Sequence, residues 1–325
     1  LTAAPDYGRA LFGEGSVLLA LGRLKESEAV LRQAVAQLRR SLGELSLDTQ
    51  SARSNLAEAA MVQGHLDEAE ALQRATLEQL RQLYGPRHPE VAMMLNNLGL
   101  LLTNAPGRAA EAVPLLEEAL AQTREFRGPK HPATASMLNN LGLAEMLRAG
   151  TTTILDMGTV HHHDVVFDAL AKSGMRAFSG KAMMDVGDQV PPTLRETTKR
   201  SLSESHRLRE GWHGAENGRL RYAYAPRFIL SCSERLMREV ADAVREGSAG
   251  DALAHSHAAE HADERAAVKA MLGQDDVAAL ESFGLSGPRT VLAHGVQLRA
   301  AEMRRVAKLG TRFVHCPSAN LKLAS

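Results

Sequence analysis

One short segment of this 325-residue sequence carries the residue types that hydrolytic metal chemistry needs. It reads His255-Ser256-His257-Ala258-Ala259-Glu260, with a histidine at the end of a predicted strand and a glutamate three residues later. A histidine ring nitrogen can bind a metal ion, and a nearby glutamate can move protons beside it. A bound zinc ion would lower the pKa of its water to about 7. The segment alone is weak support, because many helices contain His-x-x-Glu by chance.

Two more histidines follow at the ends of the next two predicted strands. His294 lies in Leu-Ala-His-Gly, and His315 opens His-Cys-Pro-Ser-Ala-Asn-Leu, which includes Asn320. Either histidine alone is most simply interpreted as a hydrogen-bonded core residue. Three strand-end histidines in consecutive units favour a site, with His294 placed to hydrogen-bond a metal-bound water.

Strands and helices alternate through the second half of the sequence. Such alternation predicts a parallel sheet, and repeated units predict a (β/α) barrel whose active site gathers at the carboxyl ends of its strands. The candidate strands are residues 152–157, 176–183, 220–226, 252–258, 289–294 and 311–316. Predicted helices between them include 233–245, 262–271 and 299–309.

The segment from about 143 to 325 resembles the amidohydrolase superfamily, in the branch of guanine deaminase, adenosine-type deaminases and triazine chlorohydrolases. The matching motifs are residues 149–153, 176–181, 225–228, 231–234, 257–260, 293–295 and 315–321. The resemblance implies an α/β barrel of the TIM type that binds one divalent metal ion, zinc or iron, and hydrolyses a carbon–nitrogen bond. It makes His257 a metal ligand, Glu260 the proton shuttle and His294 the residue that orients the hydrolytic water.

The substrate implied by the resemblance is a small heterocyclic amine. The Pro-Arg-Phe run resembles guanine deaminase, in which the arginine and phenylalanine hold the purine, so Arg227 and Phe228 are the candidates here. A guanidinium fork suits a carbonyl and a ring nitrogen, and a phenyl face can stack on a base. We add His315 and Asn320 to the predicted substrate-binding residues.

Other parts of the family barrel are not found. Nothing upstream of Thr151 supplies the His-x-His metal ligands of the family's first strand, and its last-strand aspartate ligand is missing too. The triple histidine 161–163 follows the second strand, at the wrong place for ligands, and we interpret it as a solvated loop. With one expected protein ligand of four, we expect a truncated or chimeric chain with little or no turnover.

The first half of the sequence repeats with a period of 42 to 43 residues. Asn-Leu-Ala/Gly recurs at residues 55–57, 97–99 and 140–142, and Gly-Pro-x-His-Pro recurs at 85–89 and 128–132. Each period holds two amphipathic helices separated by a glycine, which predicts stacked helical hairpins. Residues 8–150 resemble tetratricopeptide repeats of the kinesin light-chain type, which implies a peptide or protein partner on the concave face.

Single residues of the repeat have less specific interpretations. The paired asparagines 96–97 and 139–140 could contact a bound peptide or hydrogen-bond the neighbouring hairpin. His88 and His131 recur at one repeat position, so we interpret them as turn-packing residues rather than metal ligands.

The repeat ends at Gly150. The next residues read Thr-Thr-Thr-Ile-Leu-Asp-Met-Gly, a β-branched strand, where a further Ala/Glu-rich helix would be due. We therefore predict two domains: tetratricopeptide-like helical repeats over 1–150 and a partial amidohydrolase-like barrel over 151–325.

Composition narrows the function classes. The 38 basic and 38 acidic residues leave no net charge to attract nucleic acid or an anionic membrane. Two cysteines fit a reducing, cytoplasmic setting better than a disulfide framework. We expect a metal-dependent deaminase of a purine or related heterocycle with a protein-binding array. The alternatives are a protein-interaction module with an inert barrel fragment, and a triazine-type chlorohydrolase.

Overall fold

The computed structural model describes residues 5–246 and 252–323. Its backbone divides into two compact units, Leu1–Thr152 and Thr153–Ser325. The first four residues of the predicted repeat domain lie outside the described residues. None of the described helices is long and apolar enough to cross a membrane.

The first unit consists of helical hairpins, as the repeat predicts. Its seven helices are α1 (Pro5–Ala20), α2 (Leu24–Leu42), α3 (Leu47–Val62), α4 (Leu66–Tyr84), α5 (Pro89–Asn104), α6 (Ala109–Arg127) and α7 (Pro132–Arg148). A glycine in the left-handed region separates the two helices of each hairpin, at Gly22, Gly64 and Gly107. Glycine adopts this conformation without the steric penalty that a Cβ would bring.

His88 and His131 act as helix caps. The Nδ1 atom of His88 accepts a hydrogen bond from the backbone N–H of Glu90 (3.2 Å), and that of His131 accepts one from Ala133 (3.1 Å). A proline follows each histidine at the first helical position, where its missing N–H costs nothing. The interpretation of these histidines as turn residues is confirmed.

The core of the helical unit is made of leucines and alanines on facing helices. Gly99 on α5 allows a close approach, since a Cβ built there would lie 2.6 Å from the side chain of Leu116 on α6. Asn140 on α7 donates a hydrogen bond to Asn96 on α5 (2.9 Å). This pair therefore supports the interpretation that these asparagines bond between hairpins.

The second unit is a curled parallel sheet with helices between its strands, an incomplete barrel of the TIM type. Its strands are β1 (Thr153–Met157), β2 (Arg176–Gly180), β3 (Ala182–Met183), β4 (Leu220–Pro226), β5 (Leu253–Ala258), β6 (Thr290–His294) and β7 (Arg312–Val314). Their order is β1-β2-β4-β5-β6-β7, and β3 pairs with β4. Within the described part of the chain, β1 and β7 each pair on one side only, so the sheet does not close.

Seven of the described α-helices lie between these strands, and an eighth follows β7. They are α8 (Asp164–Ser173), α9 (Thr198–Trp212), α10 (Ala215–Gly218), α11 (Glu234–Glu246), α12 (Ala262–Leu272), α13 (Asp276–Ser282), α14 (Ala300–Leu309) and α15 (Pro317–Leu323). The register pairs His257 with Ala293 and Ala258 with His294. This brings the carboxyl ends of β5 and β6 side by side.

Two buried groups organise the first strands of the sheet. The ring of Phe167 on α8 stacks on Trp212 (5.3 Å between centroids) and packs against Tyr222 on β4. At Lys181, between β2 and β3, the side-chain ammonium pairs with the carboxylate of Glu196, and both side chains are almost wholly buried. A buried ion pair needs both partners, because either charge alone would be desolvated without compensation.

The interpretation of residues 161–163 as a solvated loop is wrong for His163. Its side chain is fully buried, and its Nε2 atom lies 2.9 Å from the hydroxyl of Ser179. That hydroxyl donates to Asp156 (2.7 Å), so it accepts from His163, and the Nε2 atom carries the proton. Burial lowers the pKa of His163 to about 4, so the ring is neutral at pH 7. The three polar groups thus form one internal chain at the ends of β1 and β2.

Candidate functional site

The candidate site lies at the carboxyl ends of β5 and β6. The rings of His257 and His294 are 5.1 Å apart between centroids, at an interplanar angle of 27°. The Nε2 atom of His294 lies 3.5 Å from the carboxylate of Glu260, which is partly buried. The structure therefore brings together the three residues that the sequence assigned to metal binding and proton transfer.

His257 is oriented by a backbone carbonyl. Its Nδ1 atom lies 2.8 Å from the carbonyl oxygen of Arg227, which also accepts the backbone N–H of His257 (3.0 Å). A carbonyl can only accept, so Nδ1 carries the proton and Nε2 keeps a free lone pair. Burial is the main cause that lowers the pKa of His257, which favours the neutral ring. A neutral imidazole with its second nitrogen fixed in this way is prepared to bind a metal ion.

His294 is held by a buried asparagine. The side-chain amide of Asn320 lies 3.0 Å from Nδ1 of His294 and is 5% exposed. When the amide donates to Nδ1, the proton of the neutral ring lies on Nε2 and points to Glu260. The backbone of His294 is in the left-handed region (φ 79°), which costs a non-glycine residue about 1–2 kcal/mol. Asn320, predicted as a substrate-binding residue, contacts the site through His294.

Arg227 and Phe228 lie in the loop after β4 and are tied to the same site. The guanidinium of Arg227 is 5.0 Å from the ring centroid of Phe228, a cation–π contact. The Arg227 side chain is exposed, while its backbone N–H donates to Met183 (3.2 Å) and its carbonyl accepts from His257. These backbone hydrogen bonds fix the start of the Arg227–Phe228 loop beside His257.

The structure does not bring His315 into this group. His315 is exposed, and across the described ranges it makes no hydrogen bond or ring contact with the other site residues. Asn320, three residues into α15, is the part of that motif that reaches the site.

Several residues of the site were not singled out by sequence. His255 is 5% exposed, and neither of its ring nitrogens has a hydrogen-bond partner. Burial lowers its pKa to about 4, which keeps it neutral. On α12, burial and the carboxylates of Asp276 and Glu260 raise the pKa of Glu264 to about 7. The alternation of His255 with His257 was the available signal, since side chains two apart share one face of a strand.

The spacing of metal-binding donor atoms shows where the described residues could hold a metal ion. Among the residues that the structure describes, three metal-binding donor atoms come within 4.8 Å of one another only at Glu28, His65 and Glu68. Arg32 lies 2.6 Å from both carboxylates, so that cluster is an ion-pair network in the helical unit. In the barrel unit, His257 fits the role of one ligand, but the described residues do not complete a ligand set.

Comparison with known proteins identifies both units. The amidohydrolase family model matches residues 110–325, more than half of the chain, and the chain belongs to that family. A tetratricopeptide repeat model matches residues 48–105, which cover most of α3 and the whole of α4 and α5. The helical-repeat and barrel architecture predicted from sequence is confirmed.

Several curated relatives of the barrel unit are deaminases. A 5-methylthioadenosine/S-adenosylhomocysteine deaminase of Archaeoglobus fulgidus is 36% identical over 181 residues, covering 56% of this chain and 41% of that protein. Guanine deaminase of Escherichia coli is 37% identical over 187 residues, with the same coverage. The chain thus spans about two fifths of the length of these curated relatives.

Solved structures agree with this assignment. The chain matches E. coli guanine deaminase with a TM-score of 0.55 and 32% identity, covering 63% of this chain and 47% of that one. An adenosine deaminase from Xanthomonas campestris with bound zinc matches with a TM-score of 0.53 and 28% identity, covering 60% and 42%. The deaminase relatives are hydrolases that act on carbon–nitrogen bonds, and members of the family bind a divalent metal ion.

Proposed function

We propose that the barrel unit is the core of a metal-dependent hydrolytic deaminase that acts on a purine or a related nitrogen heterocycle. The observation that carries the proposal is the Glu260–His294 pair beside His257, with the free Nε2 atom of His257 fixed by the Arg227 carbonyl. The deaminase relatives support it, although they are matched over less than half of their length.

The chemistry of this reaction requires two proton transfers. Water adds to the ring carbon that bears the amine, and ammonia leaves. A zinc or iron ion, when bound with His257 as one ligand, would acidify the attacking water. The Glu260 carboxylate is placed to take a proton from that water and to return it to the leaving amine. The Nε2–H of His294 faces the same carboxylate, so His294 and Glu260 together can orient the oxygen of the attacking water.

Substrate binding is assigned to the Arg227–Phe228 loop. The exposed guanidinium can donate two parallel hydrogen bonds to a ring carbonyl and ring nitrogen, and the phenyl ring offers a stacking face. The carbonyl and ring nitrogen of guanine suit this donor pair, whereas an adenosine-type base, which has no carbonyl, would accept through a ring nitrogen alone. His315 remains a predicted contact for a substrate that reaches beyond the base.

For the helical unit we propose protein or peptide binding, which is the usual activity of tetratricopeptide repeats. The match of residues 48–105 to that repeat supports it. The same observation supports the second candidate function, an interaction module whose barrel unit is inert.

The test uses the 325-residue chain with added zinc or iron. Guanine, adenosine and a chlorinated aminotriazine are supplied separately, and ammonia, chloride and substrate binding are measured. We expect saturable purine binding that Arg227→Ala weakens at least about tenfold, since a charge-assisted bidentate contact is lost. We expect slow ammonia release, because the described residues supply one ligand, and its loss in Glu260→Gln.

The control variant Glu239→Gln makes the same change on the exposed face of α11 and should leave purine binding and ammonia release unaltered. Chloride without ammonia would indicate the chlorohydrolase alternative. Neither binding nor release with any of these compounds would refute the proposal and favour the inert barrel.

A further inference from the structure

The chain makes an unusual bend between His257 and Glu260. Ala259 has a φ of 53°, in the left-handed region, although it carries a Cβ. Such a residue persists only where its surroundings impose it. Both polar groups of Ala259 are held from outside the loop. Its N–H donates to Asp276 Oδ2 (2.6 Å), and its carbonyl accepts from the backbone N–H of Gln297 (2.8 Å).

The Asp276 side chain uses both of its oxygens as acceptors. While Oδ2 binds Ala259, Oδ1 accepts the N–H of Val277 (2.9 Å) and lies 3.2 Å from Nε of Arg265. Asp276 is 1% exposed, so water cannot substitute for these partners. An asparagine has only one acceptor oxygen, so it cannot satisfy both sides at once.

The Asp276 side chain, through its contacts with Ala259 and Arg265, anchors the bend. Arg265 extends this anchor to the loop after β6. Its guanidinium donates to the carbonyl of Gln297 and to the carboxylate of Glu302, in addition to its contact with Asp276. Burial by itself raises the pKa of Glu302, but hydrogen bonds from Arg299 and Arg265 outweigh it and bring the pKa to about 2. Arg265 and Glu302 are therefore a charged pair at neutral pH.

The two loops are also joined directly. The N–H of Gly295, next to His294, donates to the carbonyl of Ala258 (3.0 Å). Consequently the bend at Ala259 decides whether Glu260 turns back toward His294 or away from it. The element that holds the bend is α13, seventeen residues further along the chain.

We propose that Asp276 is a positioning residue that acts through the Ala259 peptide to hold Glu260 within reach of His294. The effect of Asp276 on catalysis rests on the proposed function, but its effect on the position of Glu260 can be measured without turnover. The test compares Asp276→Asn with Asp275→Asn. Asp275→Asn removes the same charge one position away. Asp275 caps α13 through the N–H of Ala278 (2.9 Å) and lies 4.0 Å from Arg265, as Asp276 also contacts Arg265, but it does not touch Ala259.

The first reading is hydrogen exchange at the Ala259 amide. We expect Asp276→Asn to exchange there at least about tenfold faster, as befits one lost hydrogen bond to a charged group. The amides of β4 and β6 should keep their protection, and Asp275→Asn should resemble the unaltered chain at Ala259. Unchanged exchange in a folded Asp276→Asn, or an equal rise in Asp275→Asn, would overturn the proposal.

The second reading is the ring-nitrogen chemical shift of His294, with Glu260→Gln as the reference for a lost contact. In Asp276→Asn the shift should move toward that reference. Adding Ala259→Gly should bring it back, because glycine adopts the left-handed bend without help. A general loss of structure would not be rescued in this way, so failure of the rescue would count against positioning.

A third reading separates the two proposals. If ammonia is released, Asp276→Asn should lower kcat about tenfold and leave KM unchanged, the pattern of a group that acts only on the reacting step. If none is released, the exchange and shift readings still decide the role of Asp276. Should Asp276→Asn not fold, Asp276→Asn with Arg265→Gln removes both charges of the pair. Failure of both to fold, while Asp275→Asn folds, would make Asp276 a folding residue and overturn the proposal.

Discussion

The buried His163 makes the stability of the barrel unit depend on pH. Its pKa in the folded protein is about 4, because burial disfavours the charged ring. In the unfolded chain the pKa should be near 6.5. The folded value is the lower one, so the unfolded state takes up the proton first as the pH falls. The stability due to the neutral ring is complete above about pH 6.5 and is lost between pH 6.5 and 4.

The magnitude follows from the two pKa values. At pH 4 the unfolded histidine is almost wholly protonated and the folded one about half, which corresponds to a loss of about 3 kcal/mol relative to pH 7. Three charged or titratable groups act on the ring: Asp156 through Ser179, Asp164 and Lys181. Burial raises the pKa of Asp156, which offsets part of the loss in the same pH range.

The variant His163→Gln isolates the histidine. A glutamine amide can reach Ser179 from the position of Nε2 but does not titrate. We expect its free energy of unfolding to fall by about 3 kcal/mol less than that of the unaltered chain between pH 7 and 4. Trp212 is the only tryptophan and stacks on Phe167, the neighbour of His163, so its fluorescence in urea reports this unit. Parallel stability curves for the two proteins would refute the neutral, buried state of His163.

Two further predictions concern packing and buried charge. Gly99→Ala should destabilise the helical unit by about 1–3 kcal/mol, since its Cβ would meet Leu116, whereas Gly142→Ala at the same repeat position has open space and should stabilise it by about 0.5–1 kcal/mol. Thermal unfolding followed by circular dichroism checks this, and equal effects would contradict the close approach. Lys181→Met should cost the barrel unit about 3 kcal/mol, because the buried Glu196 carboxylate loses its buried partner and keeps only Arg200 and His161, each at 3.6 Å, and adding Glu196→Gln should recover much of this loss. Urea unfolding followed through Trp212 measures both, and a double variant no more stable than Lys181→Met would contradict the pairing.

Local sequence patterns predicted most of the fold. Each half-period of the repeat carries its own apolar stripe, so the hairpins follow from spacing. Every predicted strand is present, within one or two residues at most of its ends. The exception is 176–183, which divides into β2 and β3 at Lys181, where the side chain is buried against Glu196. No local sequence pattern predicts a buried ion pair between two residues that lie fifteen positions apart.

The site was predictable where strand ends converge and not where distant residues hold it. His257, Glu260 and His294 share one edge of the sheet, as strand-end spacing requires. Asp276 is the first residue of α13, and by sequence alone it is indistinguishable from the capping residue Asp275 beside it. Three adjacent histidines look equally polar, and only tertiary packing places His163 in the interior.

The shared hydrogen bonds of the two loops set the size of the piece that can be exchanged between related barrels. A transplanted β5 loop alone would arrive without Asp276 and without the N–H of Gln297, so Ala259 would lose both of its partners. A continuous stretch that carries β5, β6, both loops and the groups that hold Ala259, including Glu302, runs from residue 253 to residue 302. Recombination of this site with that of a relative should therefore move residues 253–302 as one block.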